Sequence, residues 1–200
     1  TWHDRPEHLL EMWRALAKLV LRPQPDVMAR VEARWLSTAA WARTDPSYAA
    51  IQVLRDVAVD EPTTVCSYAD TLLELLDEHP VPRLPGGKLN VFVVSDDLVN
   101  VLEEFKTCGS AHNWTFYSHI TGQALDYKAP GKAISRENAE RFWGEVTMLV
   151  RAARVVVTKG SHVAALVQAL REEPPSTLTF PESASNRLED PPLPGLLKPI

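Results

Sequence analysis

Two nearly continuous apolar runs, LNVFVV at 89–94 and RVVVT at 154–158, constrain this chain more than any other feature. A strand with one wet face alternates apolar and polar side chains. A run without that alternation marks a strand covered on both faces, so helices must flank the sheet on each side. The neighbouring segments supply such helices. SYADTLLELLDEH at 67–79 carries Leu72, Leu73, Leu75 and Leu76, and Ser67 with Asp70 predicts a capping box at its start. Asp96 and Asp97 precede a helical pattern through Val99, Leu102 and Phe105, Ser135 opens one through Phe142, Val146, Leu149 and Val150, and Gly160 or Ser161 starts GSHVAALVQALR. AAIQVLRDVAV at 49–59 alternates through Ile51, Val53, Val57 and Val59, and NWTFYS at 113–118 reads as a short aromatic strand. Strands that alternate with helices predict right-handed crossovers and an α/β, Rossmann-like, doubly wound parallel sheet.

Before this core, Leu9, Leu10, Trp13, Leu16, Ala17 and Val20 recur at helical spacing after Pro6, and Val27, Val31, Ala33, Trp35, Leu36 and Ala39 restart the stripe near Pro25 and Asp26. Residues 1–45 therefore read as a helical lead-in, 46–172 as the Rossmann-like domain, and the proline-dense 173–200 as an extended arm that cannot form a central strand.

Charge and composition exclude several function classes. A net charge of −5 offers no basic surplus for a nucleic-acid backbone, so no direct nucleic-acid partner is expected. No stretch of eighteen apolar residues suggests a transmembrane segment. Cys66 and Cys108 lack zinc or redox spacing and read as buried small apolar side chains. His3, His8, His79, His112, His119 and His162 show no metal spacing, and neither a G-x-G-x-x-G nor a P-loop motif occurs. No metal site is expected. A start at Thr1 rather than Met fits a trimmed or processed chain.

In an open parallel sheet, ligands bind beyond the carboxyl ends of the strands. Three such ends carry polar groups. Arg55, after QVL, is either a fork for a phosphate or one half of a surface ion pair. Asp96 and Asp97 can accept hydrogen bonds from a sugar or base, or simply cap the next helix. Thr158, Lys159, Gly160 and Ser161 join a buried strand to a helix, which suits a phosphate cradle and equally a plain turn capped by Ser161.

Taken together, LVLRPQPDV, QVLR, SYADTLLELL, VFVVSDDLVNVLEEF and ARVVVTKGSHVAALVQAL, spanning about 13–171, resemble the carboxyl-terminal half of fucosyltransferases of the core-fucosylating and nodulation-factor type. The resemblance implies the Rossmann-like half of a GT-B-like, metal-independent, inverting enzyme that binds GDP-fucose as donor substrate. It matches Gln52–Arg55 to the family's HxRR segment, Ser95–Asp97 to its SDD segment and Thr158–Ser161 to its T-F-S-S stretch. By that correspondence Arg55, Asp96, Asp97, Thr158, Lys159 and Ser161 would face the donor, and no catalytic residue is assigned. Leu54 stands where the family's diphosphate-holding arginine belongs, Gln52 replaces its histidine and Gly160 its first serine. A chain of this length does not also hold an acceptor-binding half. The expectation is a degenerate, non-catalytic fucosyltransferase-like subunit that docks onto other proteins through its helices and carboxyl-terminal arm. The alternative is the donor-binding half of a GDP-fucose-dependent transferase. The resemblance implies the secretory pathway, and a trimmed amino terminus fits organelle import equally.

Overall fold

Residues 23–33, 48–55, 63–83, 86–118, 136–171 and 178–181 are described by a computed structural model of the chain. At its centre lies β1 (Ala49–Val53), all five residues of which are buried. On one side β1 pairs with β2 (Leu89–Ser95), which pairs with β3 (Trp114–Tyr117). On the other it pairs with β4 (Arg154–Val156), which pairs with β5 (Leu178–Thr179). Every pairing is parallel and the order is β3-β2-β1-β4-β5, the doubly wound Rossmann-like α/β sheet that the unalternating runs predict.

The chain leaves β1 through α2 (Val65–Glu78) to β2, and leaves β2 through α3 (Leu98–Phe105) to β3. Helix α4 (Arg136–Arg151) then leads to β4 on the opposite side of β1, and α5 (His162–Leu170) follows. The direction of winding therefore reverses between β1 and β4. Side chains of β1 divide by parity: Ala49, Ile51 and Val53 join Leu72 of α2 and Phe105 of α3, whereas Tyr48 and Ala50 join Leu149 of α4 and Val167 of α5. Two apolar cores result, one per face, and each fully buried Leu or Phe in them contributes about 1.5–3 kcal/mol.

Helix α4 is anchored at both ends. At its carboxyl end the buried Arg171 guanidinium donates to the carbonyls of Leu149, Val150 and Ala152 at 3.1, 3.1 and 2.7 Å, groups that no helical amide can reach. The buried hydroxyl of Tyr48 donates to the Met148 carbonyl at 2.7 Å. Near its start, Glu140 accepts from Arg136 at 3.0 Å and from Arg30 of α1 (Pro25–Val31) at 2.7 Å. The described part of the lead-in thus packs on α4.

Several local expectations are corrected. Cys66 and Cys108 are not independent apolar side chains: they form a disulfide across 42 residues, joining the first turn of α2 to the loop after α3. Sequence spacing could not show this, because only the packing of α2 on α3 brings the two thiols together. Helix α2 begins two residues before Ser67, and its cap is Thr64, whose side chain accepts the Ser67 amide. Asp97 holds the cap position of α3 without capping it, since its carboxylate accepts from the Asn100 side chain instead. Val99, read as part of the apolar face of α3, is 70% exposed. Strand β1 stops at Val53, and Val57 and Val59 lie outside the described residues, as do the Pro6 helix and most of the arm. The arm's described piece, Leu178–Thr179, is an edge strand, the one sheet position that a proline-dense segment tolerates.

Candidate functional site

The reversal between β1 and β4 leaves a crevice at the carboxyl ends of the strands, where no crossover covers the sheet. A cavity of about 460 Å³ occupies it. Its walls are Gln52 and Leu54 from the end of β1, Val94 to Asp96 from β2, Phe142, Glu145 and Val146 from α4, and Gly160 to Val163 from the turn into α5. Gln52 and Leu54 share the parity of Tyr48 and Ala50, which directs them to the α4–α5 face.

The residue after Leu54 points the other way. The Arg55 guanidinium meets the carboxylates of Glu104 and Asp97 on the α2–α3 side, the latter at 3.4 Å, and its backbone amide donates to Asp96 Oδ1 at 3.1 Å. Glu104 above all, then Asp97 and Asp96, raise the guanidinium's pKa further above its ordinary value. Arg55 borders a second cavity of about 400 Å³, which Thr64, Tyr68 and Glu104 share. Of its two sequence readings the ion pair describes it: its charge is already matched by carboxylates.

Thr158 is a structural clasp. Its hydroxyl accepts the Leu54 amide at 2.9 Å and donates to the Gln52 carbonyl at 3.1 Å. Tyr68 Oη, 2.9 Å away, must then be the donor in their contact, since the threonine's single proton is already engaged. One donor and two lone pairs are thereby spent, and none remains for a ligand. This clasp extends the β1–β4 seam past the last strand pair, Ile51 with Val156. Lys159 lies in an exposed turn and does not line the larger cavity.

Ser161 does line it. As the cap of α5, its Oγ accepts the Ala164 amide at 2.9 Å and donates to Gln52 Oε1 at 3.1 Å. Gly160, at φ +77°, supplies the left-handed turn that brings α5 back over the sheet, a conformation that glycine adopts without strain. Gln52 is fully buried, and its Nε2 has no hydrogen-bond partner. On the α4 wall, burial pushes the Glu145 carboxyl above its ordinary pKa against the opposing pull of Arg141, which donates to it at 3.0 Å.

Of the residues singled out from sequence, Asp96 and Ser161 are brought into one cavity; Arg55, Asp97, Thr158 and Lys159 stay outside it. Gln52, Phe142, Glu145 and Val146 were missed as site residues. A glutamine inside the otherwise apolar AAIQV was the available signal; the α4 residues gave none, because their pattern is that of a core helix. No group of residues suited to holding a metal ion occurs among the described residues. No helix among them is long and apolar enough to cross a membrane. No protein-family model matches the chain, and no curated protein matches it.

Proposed function

We propose that this chain is a fucosyltransferase-like domain that no longer transfers sugar and serves as an accessory subunit of a larger assembly. One observation supports the reading above others: Leu54, at the family's diphosphate-gripping position, lines the crevice, while the adjacent Arg55 is engaged by Glu104 and Asp97 on the opposite face. An aliphatic wall neither donates to a diphosphate nor balances its charge. The Cys66–Cys108 disulfide favours an oxidising compartment, in keeping with the secretory pathway.

The second reading, a donor-binding half, is favoured by the persistence of the crevice with Asp96 and Ser161 in its wall. Calorimetry with GDP and GDP-fucose separates the two. No heat at millimolar nucleotide is the expected result, and binding or fucose turnover by the purified chain overturns the non-transferring reading. Light scattering on the full chain tests assembly, with a monomer in isolation and in extracts counting against docking.

A further inference from the structure

We infer that Asn113 is an N-glycosylation site, carrying one N-linked oligosaccharide at the amino end of the sheet, remote from the crevice.

Asn113-Trp114-Thr115 is the acceptor pattern for an N-linked glycan, an asparagine with a hydroxyl two residues on. Asn90, Asn100, Asn138 and Asn186 lack Ser or Thr at that spacing, so the chain offers one acceptor. A tripeptide of this kind also arises by chance, and its surroundings decide what it can do. Asn113 is exposed, and its side chain makes no hydrogen bond among the described residues. Its backbone is held instead. The Asn113 carbonyl accepts the Leu89 amide at 3.1 Å, which fixes the residue beside the start of β2. Trp114 turns into the α2–α3 core, so Thr115 faces the other way, and its hydroxyl has no hydrogen bond among those residues either. Both groups that the modification needs are thus presented without serving the fold.

The loop that carries the site is secured from behind. The Cys66–Cys108 disulfide ties its near end to α2, and a 3-10 turn at Gly109–Ala111 leads from Cys108 toward Asn113. The same disulfide favours the oxidising compartment in which such glycans are attached, and the inference rests on that reading. In the transfer, Asn113 Nδ2 forms a bond to the anomeric carbon of an oligosaccharide carried on a polyprenyl diphosphate. The anomeric C–O bond breaks, the lipid diphosphate leaves, and Nδ2 gives up one of its two protons.

Position gives the glycan its consequence. Among the described residues β3 is an outermost strand, and an open edge invites pairing with another chain. Asn113 precedes the Trp114–Leu89 pair, whereas the crevice lies past Val94 and Ser95, roughly 20 Å along the strands. A bulky, hydrophilic glycan there shields the edge and leaves the crevice open.

The full 200-residue chain, directed into the secretory pathway of a eukaryotic host, tests the inference by intact mass before and after treatment with peptide-N-glycosidase. The mass is expected to fall by one oligosaccharide, leaving an aspartate at position 113. Asn113→Gln and Thr115→Ala should each abolish the shift, and Thr115→Ser should keep it. Should the half-buried Thr115→Ala change prevent folding, the exposed Asn113→Gln carries the test. A chain recovered at its bare mass, or a shift that survives Asn113→Gln, overturns the inference. Counting thiols in the same sample keeps the two readings apart. A bare chain with Cys66 and Cys108 oxidised sinks only the glycan, whereas free thiols in the lumenal chain sink the reading of the disulfide as the mark of an oxidising compartment.

Discussion

Leu54 and Arg55 are neighbours in sequence and opposites in environment. Successive side chains at the end of a strand face opposite sides of the sheet, so one meets the crevice and the other meets α3. Moving the guanidinium by one position should therefore restore what the crevice lacks. Leu54→Arg is expected to raise the affinity of the crevice for GDP above that of the parent chain. A charge-assisted fork contributes about 1.5–3 kcal/mol, or roughly ten- to a hundredfold in affinity. Calorimetry of the variant checks this, and an unchanged affinity would mean that the crevice is unsuited to a diphosphate for reasons beyond one side chain. At this scale the sequence was half legible. Leu54 was visible only as a departure from the motif that the resemblance implies, where an arginine is expected. The saturation of Thr158 was not, because it depends on Gln52, Leu54 and Tyr68 meeting from two other segments.

Helices and strands were read more securely than their ends. Existence follows from apolar periodicity, which LNVFVVS and the Phe142, Val146, Leu149 stripe show plainly. Boundaries follow from single hydrogen bonds, and Thr64 rather than Ser67 makes the one that starts α2. Helix α4 shows how charge tunes an element. Arg30 first, then Arg136, hold the Glu140 carboxyl below its ordinary value. A depressed carboxyl stabilises the fold above its unfolded pKa, near 4.5, and that contribution is lost as pH falls through the folded value. Glu145 on the same helix runs oppositely: burial raises its pKa, so acidification from neutrality relieves a buried charge and stabilises the fold. Glu145 should thus add stability as pH falls from neutrality toward the unfolded carboxyl value, and loss of the Glu140 contribution should lower stability below it. Glu140→Gln should flatten the fall and leave the rise intact, as urea midpoints across that range would show. An unchanged acid limb in the variant would assign the fall to other carboxylates, Asp26 first among them.

The whole molecule is two cores sharing one sheet, and they are secured differently. The α4–α5 face is tied by buried polar groups, Tyr48 on Met148 and Arg171 on the last turn of α4. The α2–α3 face adds a covalent tie to its Tyr68–Thr158 hydrogen bond: Cys66 to Cys108 joins α2 to the loop after α3, the two helices packed on β1 and β2. The doubly wound parallel class was legible from the alternation of elements, whereas the strand order and this tie were not. Two cysteines 42 residues apart carry no pairing signal until α2 and α3 are docked. Closing a loop of that length removes conformational entropy from the unfolded chain, equivalent to about 4 kcal/mol in the chain-entropy model. The Cys66→Ala, Cys108→Ala double variant should accordingly lose about 2–4 kcal/mol of unfolding free energy, read from urea denaturation at fixed pH. The loss should also be uneven. Amide exchange should accelerate first in α2 and α3 while β4 and α5 keep their protection, because the staple spans only one face of the sheet. Uniform acceleration would instead mean that the two cores open together. In that case the crevice between β1 and β4 would depend on the disulfide as much as on the residues that line it.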